Sequence, residues 1–244
     1  MWPVEQIETN LKDVQDRIVA ACEAAGREPS TVRLLPVSKT VEPERIKLAY
    51  DAGCRTFGEN KVQEAAEKAE HFADLDDIRW AVIGHLQTNK AKVVARFAHE
   101  FHALDSLKVA EVLDRRLQAE GRALDVFVQV NSSGEESKFG LPPAEVEDFA
   151  TRLRDYQSLH VKGLMTLAVF SDDQDQVAAC FERMRTLQTR LRDQDRAAGT
   201  YDELSMGMSG DFELAIGYGA TVVRVGTAIF GNRQIPEHYW PTRH

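Results

Sequence analysis

The chain has 244 residues, 43% of them hydrophobic and 28% charged, and carries a formal net charge of −9. This length suits one large α/β domain or two small ones, and the composition is ordinary for a soluble globular protein. The acidic balance excludes a general nucleic-acid binder, because no basic surplus exists to neutralise phosphates. The N-terminus is acidic early and lacks the apolar core of a signal peptide. No apolar run approaches the roughly 20 residues needed to span a bilayer. Cys22, Cys54 and Cys180 are far apart and odd in number, and read as reduced packing thiols of a cytoplasmic protein.

In chain order, Val4, Ile7, Leu11, Val14 and Ile18 recur at helical spacing and predict an N-terminal amphipathic helix over about 3–26, with Gly26 as its stop. A regular alternation then begins. Strand-like runs fall at 32–37, 54–57, 79–83, 99–104, 124–130, 159–165, 202–205 and 221–225. Helical stretches lie between them at 44–52, 60–71, 88–97, 106–120, 143–155, 174–196 and 211–217, and a short helix can follow Thr227. Strands alternating with helices through short loops imply a parallel sheet. Eight such units predict an α/β fold, a (β/α)8 TIM-like barrel over about 31–231, with a doubly wound open sheet as the alternative. No linker or composition shift divides the chain, so 1–244 reads as a single domain with an extra N-terminal helix and a short C-terminal tail. Ser171-Asp172-Asp173-Gln174-Asp175 reads as a helix start.

In a barrel, function gathers at the C-terminal ends of the strands. The first strand is followed by Ser38-Lys39-Thr40. A partly desolvated lysine there can lose its proton and attack an aldehyde to form a Schiff base; the alternative is a surface lysine that happens to follow a strand. The loops after the last two strands supply hydroxyls at Ser205, Ser209 and Thr227 together with glycines at 207, 210 and 226, which lets backbone N–H groups approach an anion. That joint position favours phosphate over two ordinary small-residue turns, although Asp211 would repel phosphate unless it points away. Arg224 lies inside an apolar strand and needs a partner: either a carboxylate or a ligand acceptor near the phosphate. Asp105 and Ser106 read as helix caps. His85 either lines the pocket or serves the start of the next helix. His99 and His102, three apart in a strand, face opposite sides, which argues against a metal site.

Taken together, Val37-Ser38-Lys39-Thr40, Phe57-Gly58-Glu59-Asn60-Lys61-Val62-Gln63-Glu64 and Ile83-Gly84-His85-Leu86-Gln87-Thr88-Asn89-Lys90 form an ordered set of motifs. Asn131, Ser137-Lys138-Phe139-Gly140 and Gly163-Leu164-Met165-Thr166 continue it. Leu204-Ser205-Met206-Gly207-Met208-Ser209 and Arg224-Val225-Gly226-Thr227-Ala228-Ile229-Phe230-Gly231 close it. The set is similar to the pyridoxal 5′-phosphate homeostasis protein family and covers nearly the whole chain. The resemblance implies a fold-type III pyridoxal-phosphate barrel like the N-terminal domain of alanine racemase. It implies that Lys39 holds pyridoxal 5′-phosphate (PLP) as a Schiff base. By the same resemblance Ser205, Ser209, Gly226 and Thr227 bind the phosphate, Arg224 faces the pyridine nitrogen, Asn60 lies beside the cofactor, and Ile83 and Met165 pack near its ring.

The function this implies is intracellular PLP (vitamin B6) homeostasis without catalytic turnover. The partners are PLP itself and PLP-dependent apo-enzymes as recipients, and the expected state is a monomer with no nucleic-acid or membrane partner. Racemisation needs a placed acid or base on each face of the substrate. Alanine-racemase-like enzymes take the second one, a tyrosine, from an added domain, whereas only 13 residues follow Gly231 here, with His238 and Tyr239 among them. A low-activity PLP-dependent amino-acid racemase and a cofactor-free Schiff-base aldolase are the alternatives. Lys138, after the fifth strand, is a candidate transient acceptor of the aldehyde or else a solvated loop lysine.

Overall fold

The computed structural model describes residues 4–231, so His238 and Tyr239 lie outside the described residues. Eight strands form one sheet: β1 (Arg33–Pro36), β2 (Thr56–Glu59), β3 (Arg79–Val82), β4 (Glu100–Leu104), β5 (Leu124–Gln129), β6 (Leu159–Met165), β7 (Glu203–Ser205) and β8 (Val222–Val225). The helices are α1 (Val4–Ala24), α2 (Pro43–Asp51), α3 (Val62–His71), α4 (Ala91–Phe97), α5 (Leu107–Ala119), α6 (Val146–Arg152), α7 (Gln174–Arg192), α8 (Phe212–Gly217) and α9 (Thr227–Phe230). Every paired strand is parallel, in the order β1-β8-β7-β6-β5-β4-β3-β2. The two ends of this ribbon meet through one bridge, Val37 with Gly58, which closes the barrel. The open doubly wound alternative is thereby excluded.

Alternation along the strands separates two surfaces. Phe101, Val126, Val128 and Leu164 are fully buried beneath a helix layer that includes Val94, Ala110, Leu113 and Phe181. The bore, by contrast, holds a polar layer. Arg33 on β1 reaches Glu100 on β4 through two hydrogen bonds of 3.1 and 2.8 Å, and Glu203 on β7 at 3.3 Å. None of these strands is a neighbour in the sheet, so the contacts cross the interior.

α1 forms because Ile7, Leu11, Val14, Ile18 and Cys22 repeat on one face, and all five are buried. Asn10 donates to the Ile229 carbonyl, Arg17 pairs with Glu213, and Arg27 donates to the carbonyls of Ile216 and Ala220. The helix therefore straps the side of the barrel where β8 meets β1.

Three local differences from the expected elements have physical causes. β2 runs over Thr56–Glu59, two residues later than the expected 54–57, because Phe57, Gly58 and Glu59 are all buried and pair with Trp80, Ala81 and Val82. The expected helix over 143–155 keeps α-geometry only over α6, with single 3-10 turns on either side. Asp105 is not a helix cap: its Oδ2 accepts from the Gly140 N–H at 3.1 Å and fastens the β5–α6 loop, while Ser106 occupies the cap position of α5 without a side-chain bond. Among the described residues no helix is long and apolar enough to cross a membrane.

Candidate functional site

Lys39 is half-buried and follows β1 in a tight turn. The turn is held on both flanks of the lysine. On one side the Ser38 N–H donates to the Gly58 carbonyl at 3.0 Å, and the Ser38 hydroxyl donates to Glu59 Oε1 at 2.5 Å. On the other, Thr40 takes a left-handed φ of 59°, a conformation that costs about 1 kcal/mol in a non-glycine residue, and its N–H donates to Glu64 Oε1 at 2.6 Å. Lys68 on α3 ties the two flanks together: its Nζ lies 2.6 Å from the Ser38 carbonyl and 2.7 Å from both Glu59 and Glu64. All three charged side chains are almost completely buried. Burial pushes the Glu59 carboxyl up to about 7 against the opposing pull of the Lys68 cation, and the Glu64 charge adds to the rise. Among the described residues Glu59 Oε2 has no hydrogen-bond partner, so Oε1 alone takes the Ser38 and Lys68 donors.

Arg224 points into the bore and is buried. Its Nη1 donates to Ser205 Oγ at 2.8 Å and its Nη2 to the Thr166 carbonyl at 2.8 Å. Of five N–H groups these use two, and among the described residues Nε has no hydrogen-bond partner. Burial lowers the guanidinium to about 10, with the nearby Asp211 charge opposing. Among the described residues no carboxylate bonds Arg224 directly, and its two bonded N–H groups go to Ser205 and the Thr166 carbonyl. Ser205 is fully buried, and His102 Nδ1 lies 2.9 Å from its hydroxyl. The structure thus brings Ser205 to Arg224 and His102 in the bore.

At the loops after β7 and β8, Ser209 is half-buried and Thr227 exposed. Among the described residues no hydrogen bond occupies the N–H groups of Ser209, Gly210, Gly226 or Thr227. The Asp211 carboxylate folds back to accept from the Met208 N–H at 2.6 Å, and burial raises it. The expected conflict between Asp211 and an anion is reduced accordingly, at the expense of one donor. Gly226 lies against β1: a Cβ there would come within 3.1 Å of the Val37 carbonyl oxygen. That contact places the open N–H groups after β8 two residues from Lys39 in the neighbouring strand.

The remaining residues flank this arrangement. Asn60 is half-buried just after β2, and its carbonyl lies so close to Gly84 that a Cβ would sit 2.1 Å away. Ile83 follows β3, with its Cδ1 near Gly58 and Leu35. Met165 is buried at the end of β6, paired in register with Ser205. Lys138 is tethered, donating to the Ala168 carbonyl at 2.9 Å and pairing with Glu135, so it is no freely solvated loop lysine. His85 is exposed and stacks on Phe139 with ring centres 4.1 Å apart. His99 accepts from the Trp80 N–H, and among the described residues no cluster of His, Cys, Asp or Glu could hold a metal.

His102 was not singled out by sequence reasoning as a site residue. Its signal was present in the alternation of β4: Glu100 and His102 on one face, buried Phe101 and Ala103 on the other.

Comparison with known proteins places these features in context. The family model described as alanine racemase, N-terminal domain, matches residues 7–234. A pyridoxal phosphate homeostasis protein of Aquifex aeolicus is 39% identical over 224 residues, 92% of this chain and 97% of that protein. The solved structure of PipY of Synechococcus elongatus PCC7942 with PLP bound is similar with a TM-score of 0.82 at 35% identity, covering 93% of this chain and 100% of that one. An alanine racemase of Clostridium difficile 630 shares the fold with a TM-score of 0.71 at 14% identity, and the match covers 96% of this chain but 58% of the racemase.

Proposed function

Because the chain belongs to the pyridoxal phosphate homeostasis proteins within the alanine racemase N-terminal domain family, we propose that it holds PLP through Lys39 and stores and releases it rather than turning over a substrate. One observation carries this reading: Gly226, which with Thr227 offers open N–H groups, approaches Val37, two residues before the half-buried Lys39. When bound, PLP supplies an aldehyde that condenses with an amine and a ring that draws electrons toward its nitrogen.

The residues fit that group from end to end. Lys39 meets the aldehyde. Ser209, Gly226 and Thr227 donate backbone N–H groups, and two of them hydroxyls, to the phosphate. Arg224 offers its unused N–H groups to the ring nitrogen and, as a lasting cation, disfavours its protonation. The ring is then a weak electron sink, which suits retention. Asn60, Ile83 and Met165 wall the cofactor. Ser205, committed to Arg224 and His102, serves the nitrogen end in this reading and not the phosphate.

Storage is favoured over racemisation by extent. The chain matches 97% of the Aquifex homeostasis protein but 58% of the racemase, whose likeness at 14% identity concerns the fold alone. The protein acts as a monomer, and PLP-dependent apo-enzymes are its recipients. Borohydride reduction after loading with PLP, followed by peptide mapping, tests the reading. A phosphopyridoxyl group on Lys39, absent in Lys39→Ala, is the expected result; label only on other lysines overturns it.

A further inference from the structure

An arginine has donors and no acceptor, so the 2.8 Å contact of Arg224 Nη1 with Ser205 Oγ fixes that oxygen as the acceptor. The one hydroxyl proton of Ser205 must then point elsewhere. The other side chain bonded to it is His102, whose Nδ1 lies 2.9 Å away. The Glu100 carboxylate, 2.7 Å from Nε2, can only accept, so the imidazole proton sits on Nε2 and Nδ1 of the neutral ring is the acceptor for the Ser205 proton. Glu100 in turn takes both Nη groups of Arg33. Donation therefore runs one way from Arg224 at the mouth of the bore through Ser205 and His102 to Glu100, which also accepts from Arg33 at the base.

Electrostatics agree with this assignment. Burial would raise Glu100, but the His102 hydrogen bond and the Arg33 charge outweigh it and hold the carboxyl near 2, so it stays an acceptor. Burial lowers His102, and although Glu100 opposes this, the charges of Arg33 and Arg224 add to it, keeping the ring neutral. Phe127 packs against one face of the imidazole with ring centres 4.1 Å apart.

We infer that His102 is a positioning residue: by taking the Ser205 proton it locks Ser205 as an acceptor, aims the spare N–H groups of Arg224 at the ligand, and makes the site select a heteroaromatic ring whose nitrogen is an unprotonated acceptor. The inference rests on the reading that PLP binds here with its ring nitrogen at Arg224. Without His102 the Ser205 hydroxyl is free to rotate its proton toward Arg224, and the guanidinium loses one of its two anchors.

Two measurements test it. In the ligand-free protein, nitrogen-15 NMR of the histidines should show His102 as the Nε2–H tautomer at neutral pH; a doubly protonated ring or the Nδ1–H tautomer overturns the inference whether or not PLP binds. In the PLP-loaded protein, His102→Leu should shift the visible absorbance band, change its pH profile and weaken PLP binding about tenfold, the worth of one buried hydrogen bond. His102→Asn, which keeps an acceptor near the Nδ1 position, should restore the band. A folded His102→Leu protein with wild-type absorbance, pH profile and affinity overturns the inference; if that variant does not fold, the tautomer measurement decides. Failure of PLP to label Lys39 in the wild type sinks the functional reading separately and leaves the tautomer result standing.

Discussion

Gly207 adopts φ +96°, and a Cβ there would lie 2.8 Å from the Ala215 side chain and 2.9 Å from the Phe212 backbone. Its carbonyl also accepts the Arg224 N–H at 2.9 Å, so the same residue seats α8 against β7 and steadies the backbone of the buried arginine. In the sequence it looked like a glycine for an anion; in the structure it serves backbone packing. Gly207→Ala should therefore lower stability by more than about 1 kcal/mol, read as a lower urea midpoint. Lys39 and Arg224 were legible because each breaks an otherwise apolar strand pattern at a place where barrels keep their chemistry. The pairing of Arg224 with Ser205 was not, since which acceptor a buried guanidinium finds depends on how β7 and β8 are staggered against each other in the bore.

At the level of elements, the β1 turn, β2 and α3 are welded by the buried group of Lys68, Glu59, Glu64 and Ser38. Glu59, with its ordinary value of 4.5 pushed up to about 7, keeps in the native state a proton that the unfolded chain has already lost between these values. The stability it contributes is full below pH 4.5 and is lost as pH rises through 7. Glu59→Gln keeps an acceptor for Lys68 and Ser38 but does not titrate. Its urea midpoint should fall less than that of the wild type between pH 5 and pH 8, and an unchanged slope would show that Glu59 is ionised throughout. The strands and helices of this unit were readable from periodicity, yet β2 was placed two residues early. Gly58 and Glu59 look like loop residues until Lys68, a turn and more along α3, arrives as a donor to the buried Glu59 side chain. Similarly, the end of α7 at Arg192, short of the expected 196, follows the loss of apolar contacts after Leu191. The alternation that gave eight strands was robust because it repeats, whereas boundaries depend on single tertiary contacts.

On the scale of the molecule, the barrel is a ribbon of eight strands whose ends join at one point. β1 carries a ladder of four paired residues with β8 on one side. On the other it meets β2 through the single bridge of Val37 and Gly58. Lys39 therefore stands two residues beyond a joint that the sheet closes with one backbone bridge, on a strand held by a four-residue ladder at its other edge. The consequence is kinetic. Amide protons report how often each joint opens, and the Ser38 amide, bonded to Gly58 across the seam, should exchange with deuterated water faster than the Val37 amide, bonded to Val225 within the ladder. A molecule seated between Lys39 and the β8 loop would bridge strands β8 and β1, leaving the backbone of the seam with β2 to its one bridge and the buried side chains around Lys68. Equal exchange at Ser38 and Val37 would mean that the bridge, though single, closes the ring as tightly as a full ladder.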